Sequence, residues 1–172
     1  NMVYEIYSRL FIGKANYVME EDWDNLLILD ACRYDSFSET NWTQGRLEYR
    51  VSQGCVTGDY LSANFDKDYP DTVFIAGNPH AERKISGRFH AYIPAWKSHW
   101  DDDLGTVPPE DMKELTKSVA LDYPNKRIIS HFVQPHTPYI GSDTIRTLGK
   151  SRSFNRAKEW VEDGKNEMGD YT

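Results

Sequence analysis

The chain has 172 residues, 39% of them apolar, and a formal charge of −7. That length and apolar content suit one domain with a sizeable core, and the acidic balance excludes a broad non-specific nucleic-acid surface, which needs clustered cations. Any anionic ligand must therefore be drawn by a local site or a metal.

No stretch approaches the roughly 18 consecutive apolar residues of a membrane-spanning helix, and the N-terminus lacks the basic, apolar and small-residue order of a secretory leader. The expectation is a single soluble, cytoplasmic domain over residues 1–172, with Asn1 ahead of Met2 read as a remnant of cloning. Cys32 and Cys55 are the two cysteines. They have neither zinc-knuckle spacing nor the density of a stapled secreted scaffold, and one disulfide between them is left open.

The first element is LLIL at 26–29, a short apolar run that ends on Asp30. Ligands of open parallel sheets sit beyond the carboxyl ends of the strands, so a residue in that place is aimed at the site. A carboxylate there needs a metal, an arginine or helix N–H groups beside it. The structural alternative is a loop cap, or a pair with Arg33.

VSQGCVTGDYL, residues 51–61, then places Thr57 ahead of a short helix, with Gly54 and Gly58 allowing close backbone approach. Thr57 is expected at the N-cap, where the helix dipole favours an anion. Its hydroxyl serves either as that cap or as a nucleophile activated by a metal on Asp30. Cys55 is the competing nucleophile and ranks below Thr57, because no neighbouring base is evident for its thiol.

TVFIA at 72–76 reads as a second strand. Residues 81–105, mixed in aromatic, basic and acidic character, read as an irregular excursion over the sheet edge. Its His80, His90, His99, Arg83, Lys84, Arg88 and Lys97 favour a solvated loop over an anion pocket, and Asp101 to Asp103 lack the spacing of a calcium loop. VPPEDMKELTKSVALDYP reads as a helix opened by proline, with Met112, Leu115 and Val119 on one face.

RIISHFV at 127–133 is the third strand, and all three runs are expected to be buried on both faces. It leads into a loop in which Pro135 and Pro138 restrict His136, a candidate ligand or substrate contact. A last helix is expected around Ala157 to Val161. Together these elements predict an α/β fold, a mainly parallel sheet sandwiched by helices.

LILDACRYDSF, QGCVTGDYL and HFVQPHTPYIG together resemble, in order and spacing over residues 23–141, the alkaline phosphatase superfamily and its sulfatase-like branch. The resemblance implies an alkaline-phosphatase/sulfatase-like sheet with Asp30 as metal ligand, Thr57 as nucleophile and metal ligand, and His136 and Arg33 as substrate contacts. It implies a divalent metal, zinc or manganese in many relatives and calcium or magnesium in others. The implied reaction is hydrolysis or transfer of an anionic phosphate or sulfate ester through a covalent intermediate.

The family's later Asp-His-Gly segment and the Cys-x-Pro-x-Arg signature of formylglycine sulfatases do not occur in the 172 residues. The expectation is thus a fold truncated at the C-terminus, either the N-terminal portion of a longer hydrolase or a short relative that keeps an anion- or partner-binding pocket without catalysis. A homodimer that completes the site or covers the sheet edge is a third expectation.

Overall fold

The short apolar runs line up side by side because each is too apolar to face water and too short for a helix. In the computed structural model, which describes residues 17–137, 139, 140, 158, 159, 161 and 162, four strands form one sheet. They are β1 (Asn25–Leu29), β2 (Tyr69–Ala76), β3 (Phe89–Ile93) and β4 (Arg127–Phe132), all parallel, in the order β1-β4-β2-β3. The helices are α1 (Tyr34–Thr40), α2 (Thr57–Asn64), α3 (His80–Ile85), α4 (Ala95–Ser98) and α5 (Pro109–Asp122).

Strand register decides which side chains share a face, since alternate residues point to opposite sides. Phe74 lies beside Ile129, and Ile75 beside Ser130. Phe65, directly after α2, packs on Phe74 with ring centroids 5.5 Å apart. On the opposite face the Ser130 hydroxyl lies 2.7 Å from that of Thr116 on α5. Both faces of the central strands are thus covered by helical segments, as expected.

The core joins Leu61, Phe65, Phe74, Ile75, Trp96, Met112 and Ile129, all fully buried. Phe65 is its hub, with edge-to-face contacts to Tyr60, Tyr69, Phe74 and Phe89. Arg127 ties the chain before β1 to the sheet: its guanidinium lies 3.7 Å from the Trp23 ring centroid and donates to the carbonyls of Trp23 and Glu21.

Two expectations are corrected. Residues 81–105 are not an irregular excursion, because they contain most of α3, all of β3 and α4. FHAYI holds Phe89, Ala91 and Ile93 in alternation and is closed by Pro94, so a strand signal was there beneath the charge. Second, β1 is not buried on both faces. Leu27 lies in register with Ser130, on the face that α5 covers at β4, yet it is 57% exposed and Leu29 is 38% exposed.

Of the expected last helix, Lys158, Glu159, Val161 and Glu162 are helical and Val161 packs on the core; Ala157 lies outside the described residues. Among the described residues no helix is long and apolar enough to cross a membrane.

Candidate functional site

The carboxyl ends of β1, β2 and β4 meet at one carboxylate. Asp30 continues the ladder for one more step, its backbone N–H donating to the Phe132 carbonyl at 3.2 Å. The chain then turns through Ala31 at φ 59°, a left-handed conformation that costs a residue with a Cβ about 1–2 kcal/mol. Strain of this kind persists where surrounding structure imposes it, and here the turn leaves Asp30 pointing across the strand ends with its side chain 11% exposed.

Three side chains close on it. The Thr57 hydroxyl lies 3.2 Å from Oδ1 and 3.1 Å from Oδ2. Asn78 Nδ2 donates to Oδ2 at 2.8 Å, and Asn78 Oδ1 in turn accepts the His80 backbone N–H at 3.0 Å. His131 Nε2 lies 3.6 Å from Oδ2. Asn78 and His131 are buried and Asp30 and Thr57 are half-buried, so this polar cluster runs from the interior out to the surface.

Two glycines make the approach geometrically feasible. A Cβ on Gly77 would stand 2.8 Å from the His131 carbonyl, and one on Gly54 would stand 2.5 Å from the Tyr60 backbone nitrogen. Only residues without a side chain let the end of β2 lie against β4, and the loop before Thr57 lie against α2.

Electrostatics follow the same map. Burial alone would raise the pKa of Asp30, yet its carboxyl lies below the usual value. The neighbouring His131 imidazole, the Asn78 amide and the positive potential of His136 together outweigh desolvation. Burial lowers the pKa of His80, with the Asp30 charge opposing and His136, Arg83 and Lys84 reinforcing. The Tyr60 phenol is pushed up to about 12 by burial and then by the Asp30 charge.

Of the residues singled out from sequence, Asp30 and Thr57 are in direct contact. His136 sits half-buried in the loop after β4, and its Nδ1 lies 2.9 Å from the Thr137 carbonyl. A carbonyl only accepts, so that nitrogen carries the proton. Pro138, expected to restrain this loop, lies outside the described residues.

Arg33 turns away: it pairs with Asp35, Nε to Oδ1 at 2.9 Å, and is 77% exposed. The alternative pairing of Asp30 with Arg33 is thereby set aside. Cys55 is exposed, and it and Cys32 are both free thiols, so the disulfide left open does not form.

Thr57 is the first helical residue rather than the cap; Val56 takes the cap position and no side chain caps the helix. The Thr57 hydroxyl is occupied by Asp30 instead of by helix N–H groups. Asp101 closes a turn, with Oδ1 accepting the N–H groups of Asp103 and Leu104. His90 packs edge-on against Tyr123, and His99 lies 2.7 Å from the Ser98 hydroxyl; neither joins the cluster.

Sequence reasoning missed Asn78 and left His131 as a strand residue without a role. The Asn78 signal was legible: TVFIAGN ends a buried run on a polar side chain, as LLILD does.

The donor set offers a cation an anionic oxygen, a hydroxyl oxygen and an imidazole, which suits a divalent ion. The separations agree, since the Thr57–Asp30 contacts exceed the usual O–H···O length of about 2.7–2.8 Å. Among the described residues no group of three or more His, Cys, Asp and Glu side chains gathers closely enough to hold an ion by itself. Comparison of the chain with protein-family models, with curated proteins and with solved structures gives no match.

Proposed function

We propose that this chain binds and cleaves, or transfers, an anionic ester of phosphoric or sulfuric acid at the Asp30–Thr57 centre. The observation that carries the reading is the Thr57 hydroxyl facing both oxygens of a strand-end carboxylate. Those residues lie 27 positions apart and belong to two of the three motifs that resemble the sulfatase-like branch. Their meeting at the carboxyl edge of a parallel sheet is the arrangement a ligand site requires.

The roles follow from position. Thr57 opens α2, whose leading N–H groups and dipole favour the negative charge of a phosphoryl or sulfuryl group. Its Oγ attacks phosphorus or sulfur and gives up its proton as the ester oxygen departs and is protonated to the alcohol, and water or an acceptor alcohol then takes the group, returning a proton to Thr57. Asp30 receives the Thr57 hydroxyl hydrogen bond, Asn78 fixes the Asp30 rotamer, and His136 contacts the non-bridging oxygens. A divalent cation, with Asp30 and Thr57 among its ligands, supplies charge neutralisation and a lowered hydroxyl pKa when bound. Zinc and manganese lead the candidates, with calcium and magnesium behind them.

Activity on aryl phosphate and aryl sulfate monoesters and on a phosphodiester, with each metal supplied in turn, tests the reading. Thr57→Ala is expected to remove at least about 10³-fold of any turnover, and a phosphorylated or sulfated Thr57 is expected by mass spectrometry after rapid quenching. Turnover that survives Thr57→Ala unchanged refutes the nucleophile. Binding of inorganic phosphate or sulfate that depends on Asp30 without turnover points to the second reading, a binding module that has lost catalysis.

A further inference from the structure

The Asp30–His131 contact has the wrong length for what it first resembles. His131 is 1% exposed and its Nε2 faces Asp30 Oδ2 across 3.6 Å, beyond the N–H···O range of about 2.7–3.2 Å. Its other ring nitrogen, Nδ1, is buried without a hydrogen-bond partner among the described residues. A fully enclosed imidazole thus has no hydrogen bond of normal length on either nitrogen, although buried polar groups nearly always have one.

Something between Nε2 and Oδ2 would give Nε2 its partner, and the gap selects what it is. A bridging water with contacts of about 2.8 Å would need an angle near 80° at its oxygen to span 3.6 Å, well below tetrahedral. An ion with ligand bonds of about 2.1 Å needs about 118°, and two ligands of a tetrahedral zinc stand about 3.4 Å apart. The gap is ion-sized.

We infer that His131 is a metal ligand through Nε2, which makes Asp30, Thr57 and His131 a three-residue oxygen, oxygen and nitrogen set. The inference rests on the reading of Asp30 and Thr57 as ligands, and goes beyond it in two respects. It adds a ligand from β4 to a pair that was too small for a tight site. It also selects the metal: an imidazole suits zinc and other transition ions, whereas calcium and magnesium take oxygen ligands. Asn78 then fits as the support of a ligating carboxylate, since such carboxylates are themselves hydrogen-bonded. Its amide donates to the same Oδ2 that faces His131.

The test is calorimetric titration of the metal-free chain with zinc and with calcium, on wild type, Asp30→Asn and His131→Gln. Because His131→Gln is buried and can unfold, long-range proton–nitrogen correlation spectra of the wild-type chain are recorded with and without zinc. Expected are stoichiometric zinc binding lost in Asp30→Asn and weakened at least about 100-fold in folded His131→Gln, with a zinc-dependent shift of His131 Nε2. Zinc binding that needs Asp30 but leaves the His131 nitrogens unchanged overturns the inference and leaves the Asp30–Thr57 reading standing. Calcium binding that needs Asp30 in the absence of zinc binding overturns the inference alone, whereas binding of neither ion, or binding indifferent to Asp30→Asn, overturns both.

Discussion

Gly54 and Gly58 lie four residues apart and should respond to the same substitution with opposite signs. A Cβ on Gly54 would meet the Tyr60 backbone nitrogen at 2.5 Å, and the Asp59 carbonyl carbon and Cβ at 2.9 Å. Ordinary contact begins at 3.4 Å, so the shortfall at Tyr60 is about 0.9 Å, against backbone inside the first turn of α2. Backbone yields less than a side-chain tip, so Gly54→Ala is expected to cost about 2 kcal/mol, within the range for overpacking. At this chain length that is a fall in Tm of roughly 4–8 °C.

A Cβ on Gly58 meets only the end of the Lys84 side chain, at 3.7 Å, and Gly58 lies within α2. Gly58→Ala should therefore stabilise by about 0.4–1 kcal/mol, because alanine has less backbone freedom to lose on folding. Urea denaturation of both variants beside wild type measures the difference, with unchanged slopes showing that the midpoints report stability. A Gly54→Ala midpoint equal to or above that of Gly58→Ala would refute the steric account. The displaced turn carries Thr57, so the same variant should also lengthen the Thr57–Asp30 contacts and weaken any ligand held there.

Phe65→Ala removes a fully buried ring that touches four aromatic neighbours, and is expected to cost about 3–5 kcal/mol; a loss under about 1 kcal/mol in urea would show that the ring cluster is not the hub of the core. The Tyr60 phenol, pushed up to about 12 in the folded chain from its ordinary 10.0, resists ionisation while the unfolded phenol does not. Its contribution is whole below pH 10 and is lost as pH rises from there toward 12. Ultraviolet titration should show late tyrosines, Tyr92 among them because burial raises it too, of which one moves to lower pH in Asp30→Asn, and no movement would mean that the Asp30 charge does not reach Tyr60. Self-association through the open face of β1 should appear by sedimentation at high concentration and disappear in Leu27→Lys; a wild-type chain that stays monomeric counts against it.

Strands were the most legible part of the fold, because β1, β2 and β4 each contain a short, mostly apolar run and the polar residues after β1 and β2 mark the sheet edge. The helix of residues 109–122 was equally legible from its opening proline and its apolar spacing. β3 was lost because His90 and Tyr92 dilute its alternation and the charges of α3 precede it. At the site, Asp30 and Thr57 could be read from strand-end and helix-start chemistry alone.

Asn78 stands at a strand end that could have been read in the same way, but His131 could not, since its role depends on β4 lying between β1 and β2. That order follows from tertiary packing and leaves no local trace. The departure of Arg33 toward Asp35 is likewise a choice between two nearby carboxylates, which spacing does not decide.

The position of β4 also sets a timetable. β1 has β4 as its strand partner, and β2 reaches β1 only through β4, so residues 25–29 wait about a hundred residues for the segment that pairs them. During synthesis the first half of the chain holds an unpaired apolar strand until residues 127–132 have emerged. Long-range parallel pairing of this kind is intrinsically slow and leaves sticky intermediates. Asp30 and His131 come together only when β4 inserts, so the polar cluster is among the last features to form, and a nascent chain halted before β4 contains Asp30 and Thr57 without the strand that joins them to His131.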